Sequence, residues 1–198
     1  MDKPLSIARN ELILGGQKSG KSRRAETLAR DWLLASPQHQ AVLIATAQPW
    51  DDEMRARIAR HQADRALRVP SMTTVEEPVK LAEAIQRHSH SNTLVVVDCL
   101  TLWLTNLLMP ARGEEFEQNR PLALVENTWI ATLLIAIEGA SGPVVLVGNE
   151  IGLGVIPLGA EVRRFVDALG QLNQTVARVC QGVTLMAAGL PLTLKGRP

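Results

Sequence analysis

Short, solidly apolar runs alternate along this chain with stretches of helical periodicity. The runs fall at 11–14, 41–46, 93–98 and 143–149, with a fifth candidate at 183–188. Val95-Val96-Val97 and Val144-Val145-Leu146-Val147 show no polar alternation. Both faces of such strands need cover, which is the condition inside a parallel sheet with helices on either side. Between the runs, 22–34 sets Ala25, Leu28, Ala29 and Trp32 at helical intervals, and 51–65 opens on Asp51, Asp52 and Glu53, acids suited to the positive end of a helix. Segment 125–138 is apolar almost throughout and reads as a largely buried helix. Segment 161–180 carries Val162, Phe165, Val166, Leu169, Leu172, Val176 and Val179 along one stripe. The stretch 110–121, polar with one glycine and two prolines, reads as an exposed loop. The alternation predicts an α/β fold, organised as one domain over 1–198.

Composition narrows the picture. The 198 residues include 21 basic and 20 acidic side chains, for a net charge of +1, with no basic block. Long-range attraction to nucleic acid or to an anionic membrane is therefore not expected, and any anion must be gripped locally. Cys99 and Cys180 sit in apolar runs without CxxC spacing, as buried thiols of a reducing compartment do. The apolar stretch 94–108 is broken by Asp98, Thr101, Thr105 and Asn106, well short of the ~18 clean residues of a membrane span. The opening Met-Asp-Lys-Pro lacks the apolar core of a signal peptide. A cytoplasmic protein without a membrane span is expected.

The first apolar run leads into Gly15-Gly16-Gln17-Lys18-Ser19-Gly20-Lys21-Ser22-Arg23, which matches G-x-x-x-x-G-K-[ST]. Glycines allow backbone N–H groups to close on a polyphosphate without Cβ clashes. Lys21 brings a point charge to the β- and γ-phosphates, the Ser22 hydroxyl suits Mg²⁺, and the helix that starts there aims its positive end at the same anions. The preceding strand and following amphipathic helix supply the context this motif needs. The expected fold is accordingly P-loop NTPase-like (RecA-like), a mostly parallel sheet flanked by helices. A second magnesium contact is expected at the end of a neighbouring strand, and Asp98 follows Leu94-Val95-Val96-Val97 in that way. An acid there also serves as a strand-end turn residue or helix N-cap.

Five segments, ILGGQKSGKSRRAE, LIATAQPWDDEMRARIARHQADR, TVEEP, VVVDCLTLWLTNLL and VVLVGNEIGLGVIP, together resemble the bifunctional adenosylcobinamide kinase / adenosylcobinamide-phosphate guanylyltransferases of cobalamin biosynthesis. The resemblance runs over nearly the whole chain. It implies that ATP or GTP phosphorylates adenosylcobinamide with Mg²⁺ at Ser22 and Asp98. It further implies that a histidine takes GMP from GTP and passes it to adenosylcobinamide phosphate, giving adenosylcobinamide-GDP. The matching nucleophile is His61; where some members carry two adjacent histidines, this chain has Arg60 and then His61. By spacing alone Met54, Ile58, His61 and Arg65 share a partly apolar helical stripe, and a core-edge histidine with one hydrogen bond would fit it too. The resemblance places Glu76 near guanine, whose ring N–H and amino group a carboxylate accepts, although an acid beside Pro78 also reads as a helix start. Thr46 and its loop line the site by the same resemblance. Arg65, one turn beyond His61, either steadies the α-phosphate or pairs with nearby acids. His39, His88 and His90 lie in polar stretches and read as solvated. The segment 68–72 is slightly longer than the family pattern, and with no tyrosine in the chain no aromatic cage for a corrin ring is legible. Relatives are trimeric, which implies a homo-oligomer; the 161–180 stripe suits a subunit contact or a core helix equally.

Two other functions fit the phosphate loop alone: a monofunctional small-molecule kinase with a structural His61, and a nucleotide-dependent switch or assembly ATPase acting on a partner protein.

Overall fold

The computed structural model describes residues 7–109, 122–155 and 158–196, excluding the side chains of 122–127. The 110–121 loop and the close of the 144–157 motif at Ile156 and Pro157 thus lie outside the described residues. In chain order the elements are β1 (Asn10–Gly15), α1 (Lys21–Ala35), β2 (Gln40–Ala45), α2 (Asp52–Arg68), β3 (Thr73–Glu76), α3 (Leu81–His88), β4 (Thr93–Asp98), α4 (Leu100–Leu108), α5 (Leu122–Glu138), β5 (Val144–Val147), α6 (Ala160–Val179), β6 (Gly182–Ala187) and β7 (Leu190–Lys195). The strands form one sheet in the order β3-β2-β4-β5-β1-β6-β7, parallel except for the β6–β7 pair. This is the P-loop NTPase-like, RecA-like arrangement.

The unbroken apolar runs divide between two cores with a period of two residues. Leu12, Leu14, Val95, Val97, Val144 and Leu146 pack with α3, α4, α5 and α6 on one face. Ile13, Leu94, Val96, Val145 and Val147 pack with Ala25, Leu28 and Ala29 of α1, and with Val69 and Met72 beyond α2, on the other. Alternation is invisible in the sequence because each face has its own apolar cover.

Two strands escape the pattern reading. β3 is a four-residue edge strand of Thr, Thr, Val and Glu, mostly exposed. Glu76 therefore ends a strand rather than starting a helix, and α3 begins only at Leu81. β7 is exposed along its whole length and contains Pro191, which an edge strand tolerates. It returns from β6 through the two-residue turn Ala188–Gly189, whose φ values of 51° and 80° suit a tight hairpin. Two further expectations are corrected, and one left open is narrowed. α5 is not largely buried: Leu133, Ala136 and Ile137 face the core, whereas Ile135 is 63% exposed. His39 is not simply solvated: its ring stacks on Trp32 at 3.7 Å and shares a 2.8 Å hydrogen bond with the Trp32 carbonyl. The 161–180 stripe packs into the core at Leu169, Leu172 and Val176, while Val162 at its start is half exposed. No helix among the described residues is long and apolar enough to cross a membrane.

Burial pushes the Cys99 thiol up to about 11 and the Cys180 thiol up to about 12, so neither carries appreciable thiolate at neutral pH. Iodoacetamide at pH 8 is expected to leave both unmodified in the native protein and to alkylate both in urea. Rapid native modification, read by mass spectrometry, would contradict this packing.

Candidate nucleotide site

The loop between β1 and α1 is built by backbone constraints. At Gly15 a Cβ would lie 2.5 Å from the Met186 carbonyl oxygen and 2.6 Å from Ser19 Oγ, so the position admits only glycine. Gly20, at φ 100°, caps α1 in the left-handed region that favours glycine. The flanks are tied down as well. The Glu150 N–H donates to Gly15 O (3.0 Å) and the Gly189 N–H to Ser19 O (3.0 Å), joining the loop to the segments after β5 and β6. Gly16, Gln17 and Lys18 are exposed, Gly20 and Ser22 half-buried, and Arg23 exposed on the first turn of α1. Ser19 is buried, and its hydroxyl has no hydrogen-bond partner among the described residues.

Lys21 is 8% exposed, and its ammonium donates to Gly16 O at 2.6 Å across the loop. Burial holds its pKa below the usual lysine value; Cys99 and Asp98 pull it back up, and the Arg57 guanidinium lowers it further. Asp98 and Arg57 of α2 are thus within electrostatic reach of the lysine; the motif reading passed over Arg57, which its one-turn spacing from His61 could have flagged.

Asp98 sits two strands from β1, because β5 lies between them. The expectation of an adjacent strand is thus corrected, although the carboxylate still reaches the loop's edge of the sheet. A single register row crosses that edge: Glu76 pairs with Ala45, Ala45 with Asp98, Asp98 with Val147, and Val147 with Ile13. At about 4.8 Å between strands, Glu76 stands roughly 19 Å from β1 and Asp98 roughly 10 Å. Asp98 does not cap α4. Cys99 does, with its sulfur accepting from the Leu102 N–H, and the Asp98 carboxylate makes no hydrogen bond or ion pair with a described residue.

Thr46 is fully buried, and its hydroxyl is spent on Cys99, donating to the carbonyl oxygen (2.7 Å) and accepting from the N–H (2.8 Å). It holds the corner that presents Asp98. Asn106 braces the same corner, donating to the carbonyls of Thr46 (2.8 Å) and Pro78 (3.0 Å).

α2 buries none of its residues. It forms because Asp51 caps it, accepting from the Met54 N–H, and because Asp52 and Glu53 begin it while Arg65 and Arg68 end it, matching the helix dipole. Polar links fasten its far end: Arg68 to Glu26 of α1 (2.8 Å) and Arg65 to the Thr74 hydroxyl of β3 (3.2 Å). Thr74 lies two residues before Glu76, so Arg65 and Glu76 share one corner. His61 is exposed and makes no hydrogen bond with a described residue; a packed, core-edge histidine is not what stands there.

Oxygen donors suit magnesium, which is commonly held by one or two carboxylates together with substrate phosphates. Ser22 and the unengaged Asp98 carboxylate fit that donor set, and among the described residues no cluster of three or more His, Cys, Asp or Glu offers a protein-only cage.

The family model described as cobinamide kinase / cobinamide phosphate guanyltransferase matches residues 11–194. The bifunctional adenosylcobalamin biosynthesis protein CobP of Pseudomonas aeruginosa is 44% identical over 188 residues, covering 95% of this chain and 98% of that protein. The CobU proteins of Escherichia coli and Salmonella typhimurium, also called bifunctional adenosylcobalamin biosynthesis proteins, are 35% and 34% identical over 187 residues, each match covering 93% of this chain and 98% of the relative. Among solved structures, the PH0250 protein of Pyrococcus horikoshii superposes with a TM-score of 0.53 at 7% identity, over 98% of this chain and 90% of that one, a likeness of fold alone.

The lowered Lys21 pKa means that the buried charge opposes folding at neutral pH. That cost is present below the folded-state pKa and is relieved as pH rises through it towards 10.5. Lys21→Met is therefore expected to melt no lower than wild type without nucleotide. Wild type at a hundredfold excess of nucleotide over Kd gains about 2.7 kcal/mol, a rise of roughly 5–10 °C in Tm, and the variant should lose that rise. A differential scanning fluorimetry series with and without GTP reads both.

Proposed function

The chain belongs to the cobinamide kinase / cobinamide phosphate guanyltransferase family, and from that premise we propose that it carries out both reactions within one domain spanning 1–198. In the first, the side-chain hydroxyl of adenosylcobinamide attacks the γ-phosphorus of ATP or GTP. The bond from that phosphorus to the β–γ bridging oxygen breaks, and the nucleoside diphosphate leaves. Lys21 and the loop N–H groups offset the charge that builds on the phosphates. Ser22 and Asp98 would hold Mg²⁺, which supplies charge neutralisation between the β- and γ-phosphates when bound.

In the second reaction a neutral His61 nitrogen attacks the α-phosphorus of GTP and pyrophosphate leaves. An oxygen of the adenosylcobinamide phosphate then displaces the histidine, giving adenosylcobinamide-GDP. The observation that carries this reading is where α2, the helix of His61, is fastened: Arg68 pairs with Glu26 of α1, the helix that follows the phosphate loop, at 2.8 Å, and Arg65 donates to the Thr74 hydroxyl of β3 at 3.2 Å. On that helix His61 is exposed and makes no hydrogen bond with a described residue. Arg65 steadies the α-phosphate, and Glu76, at the same corner, reads the guanine N–H and amino group. Thr46 contributes through the Asp98 corner rather than by touching nucleotide. The reading includes a homo-oligomer, a trimer by resemblance. Leu153, Val155 and Leu158, exposed by 80%, 95% and 96%, are suited to cover by a neighbouring subunit.

GTP labelled in the α-phosphate is expected to leave acid-labile label on wild type. His61→Ala should abolish the label while keeping phosphoryl transfer within about threefold, since the nucleophile serves only one step. Label that survives in the variant would refute the assignment, and phosphoryl transfer without any label in wild type would point to a monofunctional kinase.

A further inference from the structure

The segment Asn149-Glu150-x-Gly152-x-Gly154 that follows β5 has no part in the two reactions as read above. Three elements nevertheless fix its start. The Asn149 N–H donates to Thr101 Oγ1 of α4 (2.8 Å), and the Asn173 amide of α6 donates to the Asn149 carbonyl (3.0 Å). The Glu150 N–H donates to Gly15 O at the end of β1 (3.0 Å). From this anchored backbone the half-buried Glu150 side chain turns back on its own segment, where Oε1 accepts from the Gly152 N–H (2.8 Å). Among the described residues no cation pairs with the carboxylate, and its second oxygen accepts no hydrogen bond.

That carboxylate lines a cavity of about 390 Å³. Gly16 and Ser19 of the phosphate loop, Leu153, and Leu185 and Ala187 of β6 also bound it. We propose that this cavity receives the hydroxyl-bearing arm of the phosphoryl acceptor, and that Glu150 takes the hydroxyl proton. The inference rests on the preceding reading of the first reaction, in which an alcohol attacks the γ-phosphorus. Two observations tie the cavity to the reacting phosphate. The Lys21 ammonium, the charge that meets the β- and γ-phosphates, donates to the carbonyl of the same Gly16 (2.6 Å). Ser19, 8% exposed, lines the cavity with a hydroxyl that has no partner among the described residues. The lining selects the ligand. A carboxylate without a cation partner beside an anion loop opposes a further phosphate. An uncharged alcohol suits it: the O–H donates to the carboxylate, and the apolar walls cover its carbon chain. As the hydroxyl oxygen bonds to the γ-phosphorus, its proton passes to Glu150. The bond to the β–γ bridging oxygen breaks, and the nucleoside diphosphate leaves with that electron pair. The phosphorylated arm is then an anion facing the same acid, which favours its departure before GMP transfer.

Glu150→Gln keeps an oxygen for the Gly152 N–H but removes the charge and the proton acceptor. With adenosylcobinamide as acceptor, its kcat for phosphoryl transfer is expected to fall about a hundredfold. The KM for ATP and the rate of α-labelling from GTP should stay within about twofold of wild type. A loss that labelling shares marks a structural role and overturns the proposal, as does phosphoryl transfer within about threefold of wild type. Ala187→Trp fills the cavity from an exposed position of β6. It should raise the KM for adenosylcobinamide about tenfold and leave the KM for ATP unchanged; the reverse pattern gives the cavity to the nucleotide and overturns the proposal. Should wild type transfer no phosphate, the reading of the first reaction fails, and equilibrium dialysis of adenosylcobinamide with a non-hydrolysable ATP analogue still decides the cavity. Weaker binding by Ala187→Trp than by wild type supports it, and equal or absent binding sinks it.

Discussion

The contact between Gly15 and the strand beside it governs this molecule. Where β1 turns into the phosphate loop, the backbone passes so close to the Met186 carbonyl and to Ser19 that no side chain fits. Hydrogen bonds from Glu150 and Gly189 clamp the same loop from both flanks. An anion site made of backbone N–H groups works only if those groups are aimed before the ligand arrives, because reorganisation would consume the electrostatic gain. The clamps supply that aim, and Lys21, Ser22 and the start of α1 take their positions from it.

A second layer of order comes from the sheet edge. One register row carries Glu76, Asp98 and the entry to the loop, so groups far apart in the chain stand along one line. Buried polar side chains stabilise its corners: Thr46 on Cys99, Asn106 on Thr46 and Pro78, and Glu11 between Arg24 and Thr184. Each of these polar atoms is buried with a partner, which makes the network specific as well as affordable. α2 is attached on different terms. It buries no side chain and relies on capping, dipole-matched ends and an ion pair to α1, interactions that each contribute only about 0.3–2 kcal/mol. The helix bearing His61 thus contributes little to the core.

Much of this was legible along the chain. β-branched runs without alternation meant strands covered on both faces, and the two cores split them residue by residue. The glycine spacing, the lysine and the following amphipathic helix identified the loop. Edge strands were not legible: β3 and β7 bury little, so their composition follows solvent rather than packing. The fate of individual polar residues was equally hidden. Nothing in the local sequence says that Thr46 spends its hydroxyl on Cys99, that His39 stacks on Trp32, or that Cys99 rather than Asp98 caps α4.

The sequence by itself therefore determined the parallel sheet, the phosphate-loop motif, and the family to which the chain belongs. Those features depend on periodicity and on contiguous residues, which a linear chain records directly. Tertiary structure alone decided that β5 separates Asp98 from β1, that Arg68 of α2 pairs with Glu26 of α1, and that the β6–β7 turn walls a cavity beside α1. Each of those depends on which strands pair and at what register, and pairing is settled by contacts between segments that lie up to 170 or so residues apart.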